Sequence, residues 1–218
     1  VARGDQQLWV FDVAQPYATP KVIDLPVEGE LGSLSYTPDG DQAILYTTAT
    51  NTDRYASWDV ATDTIELRSL VKPVSGISIT PTGGTMLAFH TKTDVDDPDT
   101  TSPFYNNWAL TMVNLDDFRS NPLKLPAKVD GYAHSTNGSR GYFIMKNEAF
   151  LEVLDYQTLL YEEIPLKSAP VYVGVLPDLD ATDNDEPPAW VSQEHELGRI
   201  TFYDSDDGSI ETITGFEL

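Results

Sequence analysis

The 218-residue chain carries 35 Asp plus Glu against 13 Lys plus Arg, a formal net charge of -22, together with 40% hydrophobic and 11% aromatic residues and no cysteine. That apolar content argues for a packed core in spite of the charge. The missing thiols exclude disulfides and thiolate chemistry, and a surface this negative repels phosphate backbones, so no nucleic-acid or anionic-membrane partner is expected.

The acidity is itself structural information. Asp outnumbers Glu by 23 to 12, and Asp favours turns because its short side chain bonds the backbone two residues on, whereas Glu favours helices. The longest apolar run, VYVGVL at 171–176, is far short of the about 20 residues a membrane helix needs, so no membrane span is expected.

In chain order, residues 1–26 hold two short runs: WVFDV, closing on Asp12, and KVIDL at 21–25. From 29 to 70 the pattern lengthens to four runs, with a corner at Thr37-Pro38-Asp39-Gly40, a closing residue at Asp59 and a last run TIELRSL at 64–70. The segment 73–126 repeats this with Thr80-Pro81-Thr82-Gly83, Asn114 and PLKL at 122–125. Next, 129–166 has Thr136-Asn137-Gly138, Asp155 and LYEEIPL at 160–166, and 169–215 has Pro177-Asp178, Asp204 and SIETITG at 209–215.

Corners recur 43, 56 and 41 residues apart, and closing residues 47, 55, 41 and 49 apart, so two separate landmark series keep step. Runs rich in Val, Ile, Tyr, Trp and Thr between turn residues are strand and hairpin signals, and Pro followed by Gly suits a reverse turn. One segment competes: NEAFLEVLDYQTLLYEEI, 147–164, spaces its apolar residues almost as well for a helix. It reads as two strands because Asp155 falls in register.

Four strands per repeat is the pattern of a β-propeller blade. The segments VARGDQQLWVFDVAQ and WVSQEHELGRITFYDSDDGSIETI resemble the second to fourth strands of WD40-like and YVTN-type bacterial propellers. The likeness concerns scaffold: Trp58-Asp59 is the one Trp-Asp pair, and Gly-His is lacking. The expected fold is thus all-β, one propeller domain of about four and a half blades: a partial blade 1–26 and blades 29–70, 73–126, 129–166 and 169–215. The remaining strands and blades are expected from sequence beyond this chain or from a partner chain.

Propeller geometry puts first-to-second and third-to-fourth strand turns on one face, and the other connections opposite. The insertion 93–107 carries Asp94, Asp96, Asp97 and Asp99; the insertion 178–188 carries Asp178, Asp180, Asp183, Asp185 and Glu186. Both read first as solvated acidic turns, with Ca²⁺ as the cation such carboxylates would hold. The second departs from an EF-hand at Asp183, where Gly belongs, and at Ala189, where Glu belongs.

His90, His134 and His195 are too scattered for a metal triad, and no nucleophile-elbow, P-loop or dinucleotide motif occurs. Arg3-Gly4-Asp5 and the sequon Asn137-Gly138-Ser139 read as ordinary turn chemistry. Trp9, Trp58 and Trp108, in or near third strands at similar repeat positions, read as packing between blades.

The resemblance implies a non-catalytic propeller, bacterial and extracytoplasmic (periplasmic, cell-surface or secreted), that presents loops to a protein or other macromolecule. The alternative is a propeller lactonase or Ca²⁺-dependent hydrolase with its carboxylates in the axial channel.

Overall fold

The computed structural model describes residues 6–26, 30–178 and 186–215, all of it strand, turn and connection, without a helix among them. Two strands, β1 (Gln7–Val10) and β2 (Lys21–Asp24), form a half-blade, and sixteen more form four antiparallel sheets. The first complete blade is β3 (Ser33–Tyr36), β4 (Gln42–Tyr46), β5 (Arg54–Asp59) and β6 (Thr64–Ser69). The second is β7 (Val74–Ile79), β8 (Thr85–His90), β9 (Trp108–Asn114) and β10 (Ser120–Leu125). The third is β11 (Val129–His134), β12 (Arg140–Met145), β13 (Phe150–Asp155) and β14 (Tyr161–Pro165), and the fourth is β15 (Pro170–Val175), β16 (Ala189–Gln193), β17 (Arg199–Tyr203) and β18 (Ile210–Thr214).

Sheets joined in simple sequence order, four strands each, make this a β-propeller fold. The helical competitor at 147–164 is resolved as β13 and β14, paired through Leu154 and Tyr161.

Burial explains the unequal strand patterns. The two middle strands of a blade are covered on both faces, so AIL in β4, MLA in β8 and GYFIM in β12 run apolar without alternation. The fourth strands lie at a sheet edge and stay largely exposed, which lets β10 accommodate Pro122 with no ladder donor of its own.

By contacts the chain divides into two compact units, one comprising 1–79 and 83–125, the other 80–82 and 126–218. In the first, alternate residues of one strand serve different cores. Ala43 and Leu45 pack with Leu8, Leu25 and Trp58, while Ile44 packs with Tyr55, Val74, Met86 and Val113. The second has one core around Tyr142, Leu151, Val173, Val191 and Tyr203. Each such large apolar side chain contributes roughly 1.5–3 kcal/mol by leaving water.

Both sequence landmarks have a local cause. The closing Asp or Asn caps the hairpin that follows it: its Oδ1 accepts the amide of Ala14 from Asp12 (2.8 Å), of Thr62 from Asp59 (2.8 Å), of Asp116 from Asn114 (2.8 Å), of Gln157 from Asp155 (3.0 Å) and of Asp206 from Asp204 (2.9 Å). Four residues later the chain turns left-handed, at Asp63, Phe118, Leu159 and Gly208. At the corners, Gly40, Gly83 and Gly138 hold φ of 79, 79 and 69°, and Thr37 or Ser135 brackets the turn through its hydroxyl.

Candidate interaction surface

The connection 91–107 between β8 and β9 is much longer than its counterparts at 47–53, 146–149 and 194–198. It is not loose chain. Successive turns run Asp99 to Ser102, Ser102 to Tyr105 and Phe104 to Asn107 through backbone hydrogen bonds of 3.0–3.1 Å. Asp99 Oδ1 accepts both the amide and the hydroxyl of Thr101, and these bonds hold its carboxyl below the ordinary range.

Lys72, from the link between the first and second complete blades, organises the insertion. Its side chain is 1% exposed, and Nζ meets three oxygens: Phe104 O at 3.0 Å, Asn107 O at 2.9 Å and Asp94 Oδ1 at 2.9 Å. An ammonium has three protons, and each has a partner. The other Asp94 oxygen, Oδ2, accepts the Asn106 amide at 2.9 Å. Two carbonyls and a carboxylate thus converge on a cation that the chain itself supplies. Asp96, Asp97 and Tyr105 remain exposed around this knot.

Of the residues expected to bind Ca²⁺, Asp94 is therefore committed to Lys72 and Asn106, and Asp99 to Thr101. Asp178 lies at the start of the 178–188 insertion, whereas Asp180, Asp183 and Asp185 lie outside the described residues, as does Arg3-Gly4-Asp5. Among the described residues no group of three His, Asp or Glu side chains is placed to hold a metal ion. Glu186 acts as an internal fastening. Only 5% exposed, it accepts the amide and hydroxyl of Thr136 on Oε1 and the Asn137 amide on Oε2, which ties its insertion to the third blade's corner.

Two histidines are internal fittings. His90 bonds Pro73 O at 2.9 Å and the Thr111 hydroxyl at 2.8 Å, tying the inter-blade link to β8 and β9. Burial lowers its pKa to about 4. In the fourth blade Gln193 stands at the matching end of β16, accepting the Lys167 and Ser168 amides and donating to Thr201. His134 faces the Tyr156 hydroxyl at 2.7 Å and is likewise lowered to about 4 by burial. His195 is exposed in the turn after β16.

The tryptophans do not share one repeat position. Counted back from the closing residue, Trp58 lies one residue before Asp59, Trp9 three before Asp12 and Trp108 six before Asn114. Only Trp58 of the three is fully buried; Trp9 is 45% exposed. Trp190 lies against Gly174, where a Cβ would come within 2.8 Å of its ring.

No family model and no curated protein matches the chain. Solved structures do. A protein of unknown function from Desulfotomaculum acetoxidans is similar over 100% of this chain and 65% of its own, with 10% identity and a TM-score of 0.59. The WD40 domain of Neurospora crassa Pan2 is similar over 98% of this chain and 61% of its own, with 11% identity and a TM-score of 0.56. Kuenenia stuttgartiensis hydrazine synthase is similar over 83% and 48%, with 13% identity and a TM-score of 0.52. At such identities the likeness is one of fold, and at that level the WD40-like resemblance read from the repeats holds. The chain spans less than two thirds of each of these solved chains.

Proposed function

We propose that the chain is a non-catalytic propeller whose ordered connection 91–107 presents a recognition surface to a protein partner outside the cytoplasm. The observation that carries this reading is the connection 91–107: a buried lysine fixes it from within while Asp96, Asp97 and Tyr105 are left facing outward. A connection ordered before binding loses less entropy when a partner arrives, and Tyr within an acidic rim is apt chemistry for contact with a basic protein surface. The acidity and the lack of cysteine are in keeping with an extracytoplasmic setting, and the likeness to WD40-like propellers supports the scaffold role.

Crosslinked capture from the envelope and culture fluid of the source cells, with the native chain and with Asp96→Asn/Asp97→Asn/Tyr105→Ala side by side, tests it. A discrete partner held by the native chain and lost by the variant is expected. Equal capture by both, or residence of the protein in the cytoplasm, overturns the reading.

A further inference from the structure

Between the outer half of the first complete blade and the hairpin after β9 lies a cavity of ≈ 230 Å³, within the first compact unit. That is far above the ~15 Å³ that admits one water and below the about 300 Å³ where sites for drug-sized ligands begin. Its occupant is small.

The walls show what kind of small molecule. Arg68 crosses the cavity with its guanidinium carbon 3.6 Å from the centre of the Phe118 ring; Nε donates to Ser57 Oγ at 3.2 Å and Nη2 to Glu66 Oε2. Among the described residues Arg68 Nη1 and Glu66 Oε1 have no hydrogen-bond partner. Asp59 accepts the Thr62 amide on Oδ1, and its carboxyl also faces the Thr62 side chain and the Ala61 amide. Gln42 Oε1 lies behind the wall, without a hydrogen-bond partner among the described residues and out of reach of a water-sized group. Thr62 and Thr64 add hydroxyls at the rim.

Charge narrows the choice. An anion would meet Asp59 and Glu66, and a cation would meet Arg68. A neutral molecule whose groups both donate and accept can use every wall, and vicinal hydroxyls have that property.

Phe118 forms the wall on the hairpin side. Its φ of +57° belongs to the turn, since Asp63, Leu159 and Gly208 are left-handed at the same position of their hairpins; what is particular to this blade is the ring, which lies against the Arg68 guanidinium and lines the cavity.

We infer that this cavity binds a single neutral sugar ring, with Asp59 and Glu66 accepting from its hydroxyls and Arg68 donating to them. The inference does not depend on the protein-platform reading, and its failure leaves that reading intact.

The test is a titration of the isotope-labelled chain, followed through backbone amide resonances, with D-glucose, D-galactose and N-acetyl-D-glucosamine, each as free sugar and as methyl glycoside. Arginine amide and acetate serve as charged controls. Saturable shifts confined to residues 57–68 and 118 are expected for at least one sugar, and Arg68→Met should weaken its binding about tenfold or more, the ratio given by one lost hydrogen bond to a charged group. Equal binding of the methyl glycoside assigns the end of a longer glycan as the ligand; binding of the free sugar alone assigns a free monosaccharide. Shifts with the charged controls alone, no saturable shift with any of the three sugars, or sugar binding that a correctly folded Arg68→Met chain retains in full, overturns the inference.

Discussion

Replacing Lys72 by Met is the most searching perturbation of the insertion. The methionine fills most of the space of the lysine stem, so packing is nearly conserved, but the three oxygens at 2.9–3.0 Å lose their common donor. Removing one partner of a buried ion pair costs about 3–5 kcal/mol because the other charge stays behind uncompensated, and each orphaned carbonyl would add about 1–3 kcal/mol if it remained dry. Asp94, 16% exposed, can recover part of its hydration, so the lower figure governs: a loss of about 3–5 kcal/mol in total, or a Tm lower by roughly 6–20 °C for a chain of this size. If the insertion instead detaches, the global loss shrinks and the Asn106 amide, bonded to Asp94, loses its exchange protection. Thermal unfolding together with amide exchange therefore reports both routes. Adding Asp94→Asn to Lys72→Met should restore part of the stability, since it removes the stranded charge. A Lys72→Met chain within about 1 kcal/mol of the native chain, with Asn106 still protected, would show that the ammonium does not hold this connection.

Three further outcomes are expected. Leu159 sits at φ 60° in the hairpin after β13, so Leu159→Gly should stabilise the chain by about 1 kcal/mol in urea unfolding, the left-handed strain relieved less the added unfolded-state freedom; a loss of stability would refute that. Glu152, 4% exposed and paired in register with Glu163, has its carboxyl raised by burial and then by that neighbour to about 7. Its folded-state value lies above the unfolded 4.5, so its contribution is complete below about pH 4.5 and is lost as pH rises through about 7; Glu152→Gln should abolish that fall in a pH series of urea unfolding, with a gain of up to ~3 kcal/mol near the alkaline end. His90 has the opposite sense: lowered from 6.5 to about 4, it contributes stability above about pH 6.5 that is lost as pH falls towards 4, and His90→Gln, copying Gln193, should remove that acid slope while leaving neutral-pH stability within about 1 kcal/mol.

The blade pattern was legible because its signals are local. Asp12, Asp59, Asn114, Asp155 and Asp204 each cap the turn beside them, and Gly40, Gly83 and Gly138 each supply a backbone angle that the corner needs, so cause and effect lie within five residues of each other. The site features were illegible for the converse reason. Lys72 is the one charged residue of a short link, Leu70 to Pro73, and reads as a surface lysine; its burial follows from a loop that begins about twenty residues later and folds back over it. Phe118 and Leu159 are poor turn formers by composition, so nothing near them announced a left-handed backbone. The cavity at Arg68 joins side chains from Gln42 to Phe118, a span that no motif search covers. The tryptophans misled by kind: a shared residue type suggested a shared position, and the register placed each differently.

Because every third-strand terminus carries its own turn instruction, the bend of each hairpin is specified locally, while its strands are stabilised by packing against neighbouring sheets. A gene encoding such modules tolerates duplication or deletion in whole-module steps, since each copy arrives with its turn already specified and needs only a compatible flank. The spread of landmark intervals, from 41 to 56 residues, is what that freedom leaves behind: the connections between fixed termini absorb length, and novelty accumulates in them while the framework stays unaltered.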